Sequence, residues 1–294
     1  MTYRLIIFFL VALPLVADVE LRRGAIAALQ RTGSVMVTAA GEDPFKDRPD
    51  PIDRPVYFGG IFNVQAGDES SIFFRSSSGM DLYFVGPGFF GLDRNDQIFS
   101  EVDDATGGEL QQSRMILSLR EGGLILDSRQ SIGEKRILLD TPFGRIRLSK
   151  ALCSIVIGYD YRSRRYDFTI YSAVGTVQLT DWNKESYTIY SGQRLAGAGS
   201  YLDPSVEIGG PTEDALERMQ NFSSLRQSFP IDALEAELFR SHMVKLNRAE
   251  TTKDVVRANS KRRPVVVEFA PAPDTGTFFR AVIPPRDEFE EDLF

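Results

Sequence analysis

The chain has very little of the two side chains that most metal sites and many catalytic sites are built from. Among 294 residues there is one cysteine, Cys153, and one histidine, His242. A lone cysteine excludes a disulfide within the chain, and the single pair excludes Cys/His zinc sites. Cys–His catalysis requires these two residues to meet, and a Ser-His-Asp site must use His242. No motif marks a catalytic residue or calls for a metal or cofactor. Glycine (24) and proline (15) stand near average usage, which excludes collagen-like and low-complexity readings. Positive charge is also in deficit: 34 Lys and Arg face 41 Asp and Glu, a net charge of -7, which makes nucleic acid and anionic membrane surfaces poor partners.

What is present is ordinary globular composition, unevenly laid out. Residues 1–17 read MTYRLIIFFLVALPLVA, with Arg4 as the one charge, an apolar run from Leu5 to Val16, and Ala17 before Asp18. This is the outline of a secretory signal peptide, with cleavage expected after Ala17 and a periplasmic or secreted destination. Twelve helical residues reach about 18 Å, short of a hydrocarbon core of about 30 Å, so no integral membrane span is expected after cleavage. Removing residues 1–17, and Arg4 with them, takes the net charge to -8, 33 basic against 41 acidic residues.

From Gly33 to Gly199 the apolar pattern alternates and Gly, Asp and Ser punctuate it. Short strands are expected, among them Asp81–Val85, Arg114–Leu119, Leu124–Asp127, Gly144–Ser149, Leu152–Gly158, Tyr166–Tyr171 and Gly175–Leu179. The fold class is therefore an all-β core of stacked or wrapped antiparallel hairpins, β-solenoid or β-sandwich-like, over residues 33–199, with halves at 33–104 and 113–199. Cys153 falls in the apolar run ALCSIVIGY and reads as a small buried hydrophobe. Between Tyr57 and Phe99 lie eight Phe and two Tyr. The adjacent pairs Phe73–Phe74, Tyr83–Phe84 and Phe89–Phe90 send one ring to each face, so both faces need cover. The other reading of these rings, with Trp182, is an exposed aromatic platform for carbohydrate.

Two acidic stretches read as solvated connections: Asp43–Pro55, whose Asp43, Asp47, Asp50 and Asp53 lack the order of a calcium loop, and Glu101–Asp104. After Pro211 the period becomes helical over 212–246. Thr212 caps a helix with Leu216, Met219 and Phe222 on one side; Pro230 opens a second with Ile231, Leu234, Leu238, His242 and Leu246. His242 thus reads as a hydrogen-bonded residue at a packing interface. Residues 247–294 are charge-segregated and Pro-rich and read as a largely disordered tail, within which Pro264–Phe269 could add a strand to an edge.

The stretch from 113 to 199 resembles the FecR domain, a periplasmic β module. The residues that carry the likeness are the strand end Leu119–Gly122, the Thr141-Pro142-x-Gly144 start, the strand Ala151–Tyr159, Gly175 to Val177, and the closing Ile189, Gly192 and Gln193. Upstream, Gly67-Asp68, the Ser-rich hairpin Ser76–Gly79, and Leu82, Gly86 and Gly88 resemble the family's opening half. The resemblance implies a scaffold without an active site. The chain departs from the iron-signalling members, because only the signal-like segment precedes its β region, so direct control of a sigma factor is not expected. Ser149–Ile155 also lacks the Gly-Thr common at that strand. The function expected is a non-catalytic exported binding or scaffold module in the cell envelope, its partner an envelope or extracellular protein. The alternatives are a carbohydrate-binding domain using exposed aromatics and a hydrolase working through two carboxylates in a cleft.

Overall fold

A computed structural model describes residues 20–39, 56–59, 61–99, 110–131, 133–200, 203–230 and 233–245. The leader, the Asp43–Pro55 and Glu101–Asp104 connections and the tail from 247 lie outside the described residues. Fifteen strands follow in chain order: β1 (Glu20–Arg23), β2 (Ile26–Thr32), β3 (Val35–Ala39), β4 (Val56–Phe58), β5 (Phe62–Ala66), β6 (Ser71–Ser76), β7 (Asp81–Phe99), β8 (Leu110–Asp127), β9 (Glu134–Thr141), β10 (Gly144–Asp160), β11 (Arg165–Asp181), β12 (Ser186–Ile189), β13 (Arg194–Ser200), β14 (Asp203–Gly209) and, after two helices, β15 (Val244–Lys245). The β structure is wider than the 33–199 stretch read from the alternation. β1 and β2 escape that reading because β2 buries three successive residues, Ile26 to Ala28, and so shows no period of two.

The strands form one mixed sheet, ordered β14-β13-β11-β10-β9-β8-β7-β6-β2-β4. All pairings are antiparallel except β8 with β9, which is parallel and departs from the expected all-antiparallel hairpins. The main departure from the sequence reading is length. β7, β8, β10 and β11 run 19, 18, 17 and 17 residues, each spanning what the punctuation divides or cuts short. Arg114–Leu119 and Leu124–Asp127 are one strand, as are Gly144–Ser149 with Leu152–Gly158, and Tyr166–Tyr171 with Gly175–Leu179.

Each long strand changes neighbours midway, so the sheet folds over on itself. In one layer β2 pairs with β6 and β6 with the first part of β7, which continues through Gly122–Asp127 of β8 to Leu152–Ile157 of β10, then Arg165–Tyr171 of β11, β13 and β14. In the other, β3 pairs with β5 and β5 with Gly88–Leu92 of β7, and β9 lies between the first halves of β8 and β10. Their inner faces share one apolar cluster, with Phe74, Phe84, Leu126, Cys153 and Ile155 from one layer and Phe62, Phe90, Leu117, Ile146 and Leu179 from the other. The Phe62 and Phe74 rings meet across it at 5.2 Å.

The bends fall at Gly86-Pro87-Gly88 against Glu121-Gly122, and at Lys150-Ala151 against Val174-Gly175, where the ladder registers shift. Gly122 and Gly175 are therefore bend glycines, not the turn glycines that the sequence suggests. Gly122 takes φ +103°, and a Cβ there would stand 2.9 Å from both the Val85 carbonyl oxygen and the Phe84 ring. Gly192, in the β12–β13 turn, has φ +83° with nothing within 4 Å. Gly122→Ala is expected to cost about 3 kcal/mol in urea denaturation, against about 1 kcal/mol for Gly192→Ala, because both meet the backbone penalty and only the first meets a packed layer.

Candidate functional site

The residues that assemble a site lie on the outer face of the first layer. Along the ladders Arg75 pairs with Asp81, Asp81 with Asp127, and Asp127 with Leu152; two residues along, Phe73, Tyr83 and Ile125 form the parallel row. Period-two alternation puts both rows on one face, away from the shared core. The helix α1 (Glu213–Gln227) covers it, begun by Thr212, whose Oγ1 accepts the Ala215 N–H at 3.3 Å. Ala215, Met219 and Phe222 pack on Phe73, Ile125, Leu152 and Tyr171. Burial of Met219 and Phe222 stabilises this docking by about 2 kcal/mol each. Leu216, expected on the buried side, is 49 % exposed. Ala215 takes its place, since a methyl lets the helix approach the sheet more closely than a leucine would.

The docked helix brings Arg226 of its last turn over the two aspartates. Asp81 accepts Arg75 Nε at 2.8 Å on one oxygen and Arg226 Nε at 2.7 Å on the other. Asp127 accepts Arg129 Nε at 3.0 Å and Nη2 at 2.9 Å, and Arg226 Nη1 lies 3.2 Å from its Oδ2. Arg75 Nη2 donates to the Phe229 carbonyl at 2.9 Å. The side chains of Arg75, Asp81 and Asp127 are at most 4 % exposed, whereas Arg226 and Arg129 are 20 % and 38 % exposed. Three guanidinium groups thus converge on two carboxylates. Beside them opens a cleft of about 450 Å3, lined by the three arginines with Phe222, Phe229 and Gln227.

This is the paired-carboxylate arrangement that a hydrolase reading asks for, with the wrong electrostatics for it. Burial alone would raise the Asp127 carboxyl; hydrogen bonds and charge from Arg129, with the charge of Arg226, outweigh burial and hold its pKa below the ordinary carboxylate value. Arg129 is correspondingly raised by its bond to Asp127. Asp127 therefore has no proton to give near neutral pH, and its oxygens are already engaged.

A second polar cluster closes one end of the folded sheet. The Ser-rich hairpin between β6 and β7 turns inward: Ser76 and Ser78 hydroxyls lie 2.9 Å apart, Ser76 Oγ accepts the Met80 N–H at 3.0 Å, and Gln97 Nε2 donates to Ser77 Oγ at 2.8 Å. Lys135 Nζ donates to the Ser78 carbonyl at 2.5 Å and to its hydroxyl at 3.1 Å. Desolvation pulls the Lys135 ammonium down to about 7, against the opposing pull of Asp81. A serine next to a lysine poised near neutrality has the composition of a Ser–Lys nucleophile pair. Ser78 is only 1 % exposed, however, so its hydroxyl is out of reach of a substrate carbonyl and the contact acts as a plug.

Cys153 is fully buried in the main core and burial pushes its thiol up, which makes it an inert apolar residue. His242 lies elsewhere, at the end of the second helix, α2 (Ala233–His242). It is solvent-exposed and sits where α2 meets β4: it stacks on Tyr57 at 4.8 Å, and Nδ1 lies 2.8 Å from the Leu238 carbonyl. Among the described side chains of α2, Phe239 is buried, packed on Ala25 and Ala27, while Leu238 is 37 % exposed. The larger ring gains more from burial than the leucine beside it and sets the helix's rotation. The glycan reading needs its rings on the surface, but Phe62, Phe73, Phe74, Phe84 and Phe90 are core residues. Trp182 is 37 % exposed, its indole N–H donating to the Pro142 carbonyl. Among the described residues no group of His, Cys, Asp and Glu could hold a metal ion, and no helix is long and apolar enough to cross a membrane.

No protein-family model matches the chain, and no curated protein matches it. Among solved structures it is similar to two crystal structures, at 2.50 and 1.65 Å, of a candidate anti-sigma factor from Parabacteroides distasonis. Identity is 6 % and 7 %, and the TM-score is 0.36 for both. The match covers 53 % of this chain and 63 % and 62 % of the others, so it spans less than two thirds of their length.

Proposed function

We propose that the chain is an exported, non-catalytic module of FecR type that binds another protein of the cell envelope and serves as a scaffold there. The observation that carries this reading is the edge strand β14. It pairs only with β13 among the described residues and is the longest edge of the folded sheet, seven residues, whereas the opposite edge, β4, has three and carries α2 against Tyr57. Ser205 and Glu207 face outward, and Ile208 is 50 % exposed beside the half-buried Val206, which packs on the core. An edge with open backbone groups and an apolar rim takes an added strand from a partner.

Two measurements test the reading. N-terminal analysis of the chain recovered from the envelope or secreted fraction should begin at Asp18; an intact Met1 start in the cytoplasm would overturn export. A photoreactive residue at Ser205 or Glu207 should give a discrete adduct in envelope extracts, and one at the exposed Glu217 of α1 should not. The same adducts from both places, or none from β14, would sink the edge-strand role.

A further inference from the structure

The cleft beside α1 has a charge and a shape that the scaffold role does not use. Its carboxylates are spent: Asp81 accepts from Arg75 and Arg226, and Asp127 accepts from Arg129 and pairs with Arg226 at 3.2 Å. Its cations are not. Arg129 engages Asp127 through Nε and Nη2, and Arg226 engages the pair through Nε and Nη1; among the described residues neither Arg129 Nη1 nor Arg226 Nη2 has a partner. Both side chains are accessible, at 38 % and 20 % exposure, and both border the cleft, while Phe229 and Pro230 supply an apolar wall.

We infer that this cleft is a binding site for a monoanionic carboxylate attached to an apolar body, held between Arg129 and Arg226 with the apolar part against Phe229 and Pro230. The two aspartates decide between anions. A carboxylate brings one negative charge to the open guanidinium edges, whereas a phosphate dianion sets a second beside Asp81 and Asp127. The cleft volume of about 450 Å3 suits a ligand of a dozen or so heavy atoms or the terminal residue of a peptide. The buried ion pairs preorganise the site, because Asp81 and Asp127 fix both guanidinium planes before any ligand arrives.

The site is tested by ligand-observed NMR titration of the mature chain with 3-phenylpropionate, with its carboxamide, with acetyl-Gly-Gly-Phe bearing a free C-terminus, and with inorganic phosphate. Saturable binding of the acids with Kd on the order of 1 mM or tighter is expected, with at least a tenfold loss for the carboxamide and for phosphate. A tighter tripeptide would point to a peptide C-terminus as the source, and a tighter phenylpropionate to a small organic acid. Gln227→Trp fills the cleft from an exposed position outside the ion-pair network and should abolish binding with the melting temperature unchanged; Arg129→Gln should weaken it at least tenfold. Equal binding of acid and carboxamide, equal binding of phosphate, indifference to Gln227→Trp, or no saturation by 20 mM would each overturn the proposal.

Discussion

Asp81→Ala is expected to lower stability by about 3 to 5 kcal/mol, the cost of removing one partner from a buried ion pair. Arg75 is 3 % exposed and would keep its contact to the Phe229 carbonyl while losing the Asp81 carboxylate that its Nε bonds. The loss reaches the helix as well. Arg226 Nε gives up its 2.7 Å bond, which leaves α1 its ion pair to Asp127 and the packing of Ala215, Met219 and Phe222. Urea denaturation should show the drop, and amide exchange over Glu213–Gln227 should speed up more than exchange in β8. Replacing Arg75 and Asp81 together with apolar residues of similar volume should cost far less than Asp81→Ala, because no charge is stranded. If the single and double replacements cost the same, the network contributes through packing and not through charge.

Lys135→Met is expected to act in the opposite direction, raising stability at neutral pH by on the order of 3 kcal/mol. The wild-type lysine titrates near 7 in the fold and near its ordinary 10.5 when unfolded. Between those values the unfolded chain carries a proton that the folded chain does not, so stability rises with pH across that window. Below about 7 both states are protonated and the fold bears the full cost of a desolvated ammonium. Met should remove the cost and flatten the slope between pH 7 and 9.5. The upper limit keeps clear of Tyr187, which its hydrogen bond to Glu185 raises to about 12 and which works in the reverse sense above 10. Urea midpoints at half-unit pH steps decide the matter: a slope surviving in Lys135→Met would assign the titration to another group.

The strands themselves were largely legible. Their joining was not, and the reason is local. Gly122 inside β8 and Gly192 between β12 and β13 both take positive φ beside polar residues, and what separates them is whether the neighbouring strand continues past them. That information lies some thirty residues away, in the pairing partner. The ion-pair site was illegible for a related cause. Arg75, Asp81, Asp127 and Arg226 are separated by up to 151 positions, and only the register and the docked helix make them neighbours. One trace was present: Asp81 begins a strand, Asp127 ends one and Arg75 stands one residue from an end, all on the face opposite the core, where a buried charge would be out of place without a cover. The apolar face of α1 was readable as a face, but Leu216 and Leu238 show that the more closely fitting residue, not the more hydrophobic stripe, sets a helix's rotation.

The bends have a mechanical consequence. Four adjacent strands each pass through both halves of the folded sheet, so covalent backbone stitches the halves together four times over. Neither half can slide or peel from the other without undoing ladders on both sides of the crease. A load taken up at β14 passes through β13 into β11 and β10, and there it is divided between two sheets acting as one beam. A sheet built this way yields all at once or not at all, and the crease rather than the edge sets its strength.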